Sequence, residues 1–219
     1  MIQKQGRVEG DGEEALRTLL GMLVRRDPET YHHTIRVAVL ARALARELGL
    51  RGPEVERVYI GALLHDIGKL QVRADLLKTQ RILDTQERAH VGEHARLGYA
   101  LARSYPELQP YLDIIRDHHE RVDGRGYPAR KRGAALSLGA RIVTVADAFE
   151  VMTSGRGYQP AKCRREALAE LRRQAGKQFC EHCVRAACSL WAEPHHARPR
   201  DQRTEARDSM SAALVAMPL

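Results

Sequence analysis

Phe and Trp are scarce here: two Phe and one Trp in 219 residues. A core must therefore be built from Leu, Ala, Val and Ile, a palette that suits helix packed on helix. Runs that alternate apolar and polar residues are also lacking, which removes the signature of a half-buried sheet. No apolar run approaches the roughly 18 residues that a membrane span needs. Cysteine is confined to the C-terminal part, as Cys163, Cys180, Cys183 and Cys188, and no secretory leader is recognisable. Those two absences argue against a disulfide scaffold and predict a reducing, cytoplasmic setting. No basic run is interleaved with aromatics, so neither DNA nor RNA is an expected partner. No sensor, receiver or membrane module is recognisable before Glu13, so regulation is expected through a partner, the N-terminal helix or the tail.

What the chain does have is helical periodicity and positive charge. The net charge is +8 and the pI about 9.6, which suits an anionic ligand and equally suits Arg-rich solvated helices. Leu16, Leu19, Leu20 and Leu23 form one apolar stripe and predict a helix over Glu13–Arg26. Asp27-Pro28 breaks it and opens a second helix to about Leu48, stopped by Gly49. A third starts at Pro53 and runs into His65-Asp66. Further helices are predicted over Glu87–Ala102, Leu108–His119, Leu138–Val151 and Glu166–Gln174, with a loop rich in Gly, Arg and Lys over 120–137. The expected organisation is a flexible lead-in over 1–12, one helical domain over 13–191 and a disordered tail over 192–219.

The chemistry concentrates in paired His and acidic residues. His65-Asp66 follows Leu63-Leu64 and precedes Gly68, which places an acid where water is scarce. A buried acid needs a compensating charge, and a divalent cation with an imidazole beside it supplies one. Asp147 sits in an apolar helix, where an acid is otherwise hard to justify. Glu29 precedes His33 by four residues, so both lie on one helical face and can reach one site. His32 points roughly 100° away around the helix and is set aside. His94 and the His118-His119 pair complete the candidates. Mixed imidazole and carboxylate donors without thiolates suit iron, manganese or zinc.

Taken together, His33…Arg36-Val37, His65-Asp66-Ile67-Gly68-Lys69, Glu87…His94-x-x-x-Gly98, His118-His119-Glu120-x-x-Asp123-Gly124-x-Gly126-Tyr127-Pro128 and Val145-Ala146-Asp147 strongly resemble the HD-GYP subgroup of the HD phosphohydrolase superfamily, over about Pro28 to Phe179. The resemblance implies an all-α fold, an HD-domain helical bundle with a C-terminal GYP-type extension. It implies a centre of two or three divalent metal ions, iron or manganese, that hydrolyses cyclic di-GMP to the linear dinucleotide or GMP in bacterial second-messenger signalling. It maps metal ligation onto His33, His65, Asp66, His94, His118, His119 and Asp147, with Asp66 bridging and Glu29 available to a third ion. Lys69 would meet the scissile phosphate. Asp123, Gly124, Gly126, Tyr127 and Pro128 would shape the substrate rim, and Arg156 would contact a guanine or phosphate edge. Paired cations acidify water for attack on phosphorus, and Lys69 would help to stabilise the developing charge.

Two segments depart from the pattern. Arg156-Gly157-Tyr158-Gln159 replaces Arg-Pro-Tyr-Arg or Lys, so Gln159 lacks a second positive charge near the nucleotide. That departure motivates two rival readings: a binding module that docks on another signalling protein such as a diguanylate cyclase, or an enzyme for a different phosphoester. A homodimer is allowed. The second departure is Phe179-Cys180-Glu181-His182-Cys183-Val184 in place of Phe-Asp-Pro-x-Val. A lone Cys-x-x-Cys is weak evidence for zinc or redox chemistry, so these are read as structural thiols on an apolar helix. The loop cations Arg121, Arg125, Arg130, Lys131 and Arg132 either gather an anion or simply face solvent.

Overall fold

A computed structural model describes residues 5–77, 79, 81, 84–155 and 160–192. Apart from one bridge between Ala175 and Phe179, the described residues contain no β structure. Among the described residues, ten α-helices follow in order: α1 Gln5–Arg26, α2 Pro28–Glu47, α3 Pro53–Leu64, α4 Ala74–Leu77, α5 Thr85–Gly92, α6 His94–Arg103, α7 Leu112–Asp117, α8 Leu138–Ser154, α9 Arg164–Arg173 and α10 Glu181–Leu190. Short 3-10 turns occupy Ile67–Gln71, Pro106–Tyr111 and Gly133–Ala135.

The helix boundaries follow local chemistry. Asp27 caps α2 by accepting from the Thr30 amide at 3.1 Å, and Pro28 takes the first helical position where no N–H is needed. Asp84 and Glu87 form a reciprocal capping box on α5, so the Glu87 carboxylate is spent on the Asp84 amide at 2.9 Å. Ser137 caps α8 through the Ala140 amide. Helices α2, α3 and α8 pack closely on one another. Small residues at their contact, including Ala38, Ala41, Ala62 and Ala146, are fully buried with Leu44, Leu64, Ile142 and Val145. Trp191 stacks on Phe149 with ring centroids 4.4 Å apart and fastens the end of α10 to α8.

Three boundaries differ from the sequence reading. The first helix begins at Gln5, inside the stretch expected to be a flexible lead-in. The helix expected over Glu87–Ala102 is two helices, interrupted at Glu93. The one expected over Leu108–His119 opens as a 3-10 turn and ends at Asp117. Each interruption keeps near-helical backbone angles, so the apolar spacing shows no sign of it. Of the tail expected over 192–219, all but Ala192 lies outside the described residues.

One close approach sets the geometry of the site. The 3-10 turn at Ile67–Gln71 crosses α6 backbone to backbone, and a Cβ on Gly68 would stand 1.9 Å from the His94 carbonyl oxygen and 2.4 Å from the Gly98 amide. Only two glycines at the crossing bring His94 against Asp66 and Lys69.

Candidate metal centre and active-site cleft

Three of the predicted histidines stand at helix ends. His65 follows the last residue of α3, His118 follows the last residue of α7, and His94 opens α6 just after α5 stops. Each Nδ1 meets the carbonyl three residues back: Ala62 at 2.7 Å, Ile115 at 2.9 Å and Val91 at 2.7 Å. A carbonyl can only accept, so Nδ1 carries the proton and Nε2 is left with a bare lone pair. Backbone carbonyls thereby fix both tautomer and aim.

Those lone pairs converge. His94 Nε2 lies 3.2 Å from His118 Nε2, a separation that two lone pairs cannot join by a hydrogen bond. His119 Nε2 lies 3.1 Å from the same His94 atom. His65 Nε2 is fully buried with no hydrogen-bond partner. An orphaned buried acceptor and opposed lone pairs are the donor set that a divalent cation satisfies. Burial holds His65, His94 and His118 below the usual imidazole range and His119 at about 3, so all four are neutral at pH 7.

Asp66 links two groups of donors. Its Oδ1 faces His94 Nε2 at 3.2 Å, while its Oδ2 faces His65 Nε2 at 3.5 Å and His33 Nε2 at 3.7 Å. Lys69 Nζ donates to Oδ2 at 2.6 Å in the same buried space. Burial pushes the Asp66 carboxyl up, but Lys69 and the surrounding imidazoles outweigh it and hold the group well below the usual carboxylate range. His94, His118 and His119 form one compact donor group, and His33, His65 and Asp66 form another.

His33 is held differently. Its Nδ1 meets Glu150 Oε2 at 2.5 Å, and its Nε2 faces Asp147 Oδ1 at 3.1 Å. Burial works against its charged form, yet Asp147 and Glu150 outweigh burial and raise its pKa. Asp147 is lowered in turn, the cost of burial being exceeded by His33 and its neighbours. Glu150, held at about 2 against burial by His33, Ser154 and Arg36, also accepts from Arg36 Nε at 2.6 Å.

Glu150 escaped the sequence reading although its signal was present. It is an acid in the same apolar helix as Asp147, one turn further on. Glu29, by contrast, is exposed and is not among the members of the two donor groups. It lies in the first turn of α2, one turn before His33, whose Nδ1 meets Glu150 from α8.

The centre opens into a cleft of about 550 Å³, lined by His33, Asp66, Lys69, His94, His119, Tyr127 and Asp147, and also by Met152, Lys162 and Gln178. That volume lies within the range of small-molecule sites. Tyr127 stacks on His119 with ring centroids 4.9 Å apart and stands at the rim. Gly126 is required behind it, since a Cβ there would meet the Glu120 Cα and Arg121 amide at 2.5 Å. Asp123 and Gly124 do not reach the cleft; Asp123 ties Arg121 at 2.7 Å and the Arg125 amide at 3.0 Å, which folds the loop. Pro128 is exposed. Two further buried acids hold the loop: Glu120 accepts the Ala129 and Lys131 amides, and Asp117 accepts Lys131 Nζ at 2.6 Å. Arg132 donates to the Asp123 carbonyl, so three of the loop's cations serve the loop itself. Arg156 and Gln159 lie outside the described residues.

Comparison with known proteins agrees with this geometry. The HD domain family model matches residues 17–180. A cyclic di-GMP phosphodiesterase of Thermotoga maritima is 35% identical over 195 residues, covering 87% of this chain and 53% of that protein. A 3'3'-cGAMP-specific phosphodiesterase of Vibrio cholerae is 37% identical over 162 residues, covering 71% of this chain and 34% of that protein. The chain thus spans about half the length of the first of these relatives, or less for the second. Among solved structures, the HD domain of the L. monocytogenes phosphodiesterase PgpH in complex with cyclic-di-AMP aligns with a TM-score of 0.60 at 20% identity, covering 84% of this chain and 100% of that one. No described helix is long and apolar enough to cross a membrane. The convergent histidines, the His65-Asp66 pair and the Gly126-Tyr127-Pro128 rim agree with the match: the chain belongs to the HD domain family, in its HD-GYP subgroup, and carries a metal-dependent hydrolase fold.

Proposed function

We propose that this domain is a metal-dependent phosphodiesterase that opens cyclic di-GMP to the linear dinucleotide or GMP. The observation that carries the reading is the convergence of neutral imidazole Nε2 atoms on the Asp66 carboxylate beside a buried lysine. Two or three ions of iron or manganese, held by His33, His65, Asp66, His94, His118, His119 and Asp147, would supply Lewis acidity and an acidified water.

The residues of the chain do the rest. Asp66 would bridge, since its two oxygens face different donor groups. It also aims the Lys69 amine, which would meet the charge that develops on the scissile phosphate. Glu150 fixes the His33 ring through Nδ1, and three backbone carbonyls fix His65, His94 and His118. Preset in this way, the ligands need no reorganisation during the reaction. Tyr127 offers an aromatic face at the rim, and Lys162 adds a cation to the cleft wall. Arg156 would contact a guanine or phosphate edge.

A second substrate has a specific reason. The similarity to a cGAMP-specific enzyme makes a hybrid cyclic dinucleotide the alternative. Cyclic di-GMP, 3'3'-cGAMP and cyclic di-AMP are incubated separately with Mn- or Fe(II)-loaded protein and the products separated by chromatography. The proposal expects fastest conversion of cyclic di-GMP, with none in the His65→Ala, Asp66→Ala double variant. Preference for cGAMP would reassign the substrate, and turnover that survives in the double variant would remove the site.

A further inference from the structure

Both cysteines of Cys180-x-x-Cys183 touch the apolar core, but they are not equivalent as packing residues. Cys183 is fully buried among α2, α8 and α9. Cys180 is different. It is the N-cap residue of the ten-residue helix α10 and only half-buried. Its Sγ lies 3.6 Å from Nη1 of Arg141, which projects from α8. Cys183 stands three residues on in the first turn of α10, and all four cysteines of the chain are free thiols.

We propose that Cys180 and Cys183 form a redox-active dithiol, with Cys180 the attacking thiolate and Cys183 the resolving thiol, exchanging with a low-molecular-weight disulfide. Three features converge on one sulfur: a cation, a helix N-terminus and a second thiol at the spacing that closes a small ring. The Cys183 thiol and the His182 and Cys183 backbone, helped by Arg141, outweigh burial and hold Cys180 at about 4. Cys183 moves the other way, raised by Cys180 and by burial, and so keeps its proton until it is needed. Glu181, the acid in the same turn, points its carboxylate toward Gly176.

The exchange balances. The Cys180 thiolate attacks one sulfur of R–S–S–R, that S–S bond breaks, and one thiolate leaves. Cys183 gives its proton to the leaving thiolate and attacks the Cys180 sulfur of the mixed disulfide. The second thiolate departs and takes a proton from solvent. The protein pair is oxidised by two electrons, and the small disulfide is reduced to two thiols.

The pair is joined to the cleft. Gln178 lines the cleft and accepts the Val122 amide, while the Lys177 carbonyl accepts the Asp123 amide at 2.9 Å. The strand of chain leading into Cys180 is therefore hydrogen-bonded to the loop that carries Tyr127.

Two measurements on the full chain test the proposal. Iodoacetamide labelling of Cys180 is followed by peptide mass, with free cysteine in parallel. Free cysteine should accelerate about tenfold per pH unit between about pH 6 and about pH 8, whereas Cys180 should stay within about twofold. Oxidised glutathione should then yield a 180–183 disulfide in the wild type and a stable glutathione adduct on Cys180 in Cys183→Ser. A Cys180 rate that climbs in parallel with free cysteine overturns the proposal. So does a wild type that forms no 180–183 disulfide, and this arm does not depend on the variant folding.

Discussion

His33 is the residue on which the donor set turns, because it is the one imidazole gripped by a carboxylate rather than by a backbone carbonyl. Glu150 accepts from Nδ1 and so leaves Nε2 to face Asp147 and Asp66. Removing that acceptor frees the ring without touching a ligand. Glu150→Ala should therefore weaken metal binding by about 10–100-fold, the usual cost of losing an orienting partner, as measured by metal titration. An unchanged affinity would show that packing alone aims His33. Glu29→Ala is the contrasting variant. The side chain is exposed and is not a member of either donor group, so the metal content of the purified protein should not change; loss of one ion per chain would return Glu29 to the site.

Helix ends build the centre. Each of α3, α5 and α7 stops where a histidine can turn back to a carbonyl three residues earlier, and the crossing of Gly68 over α6 sets the distance between two of those ends. Gly68→Ala would drive a Cβ into the His94 carbonyl. It should cost about 1–3 kcal/mol of stability as other overpacked substitutions do, and should lower metal content more than an equally destabilising change in α1. A variant of wild-type stability and metal content would refute the close crossing. This is also the scale at which sequence and structure part. His65, His94 and His118 could be found by residue type and spacing, and α2, α3 and α8 by their apolar stripes and caps. The interruption at Glu93 could not, because it changes hydrogen bonding while keeping helical angles. The i, i+4 spacing of Glu29 and His33 places both on one face of α2, but it carries no information on how deeply each side chain is buried. Asp123 is placed at the substrate rim by the family resemblance alone; in the fold its carboxylate accepts from Arg121 and the Arg125 amide. Glu120 and Asp117, which hold that loop, lie in a stretch where acids and bases are mixed, and only the fold shows which ones are buried.

At the scale of the whole molecule, the centre trades stability for ligand geometry. Burial keeps His65, His94, His118 and His119 below 6.5 in the folded chain, while the unfolded chain takes up these protons at about 6.5. Between the two values the unfolded state binds more protons, so stability rises with pH. Asp66, Asp147 and Glu150 are lowered as well, and their contribution is lost as pH falls below the ordinary carboxylate range. His33 opposes, since its raised pKa contributes stability that is present below 6.5 and lost as pH rises through its folded value. The denaturant midpoint of metal-free protein should therefore fall from about pH 7 to about pH 5, with four imidazoles against one. A flat or rising midpoint would mean that the cluster is protonated when folded. Divalent metal should raise the midpoint at pH 7 and less at pH 5, because the ligands must be neutral to bind.

The most direct test of the account counts metal and turnover on one sample: protein purified anaerobically, loaded with Mn or Fe(II), and assayed on cyclic di-GMP before and after chelation. The account predicts at least two ions per chain, hydrolysis to linear dinucleotide or GMP, and loss of both together on chelation. Ions fully bound with no turnover of any cyclic dinucleotide, or turnover undiminished after the ions are gone, would contradict it.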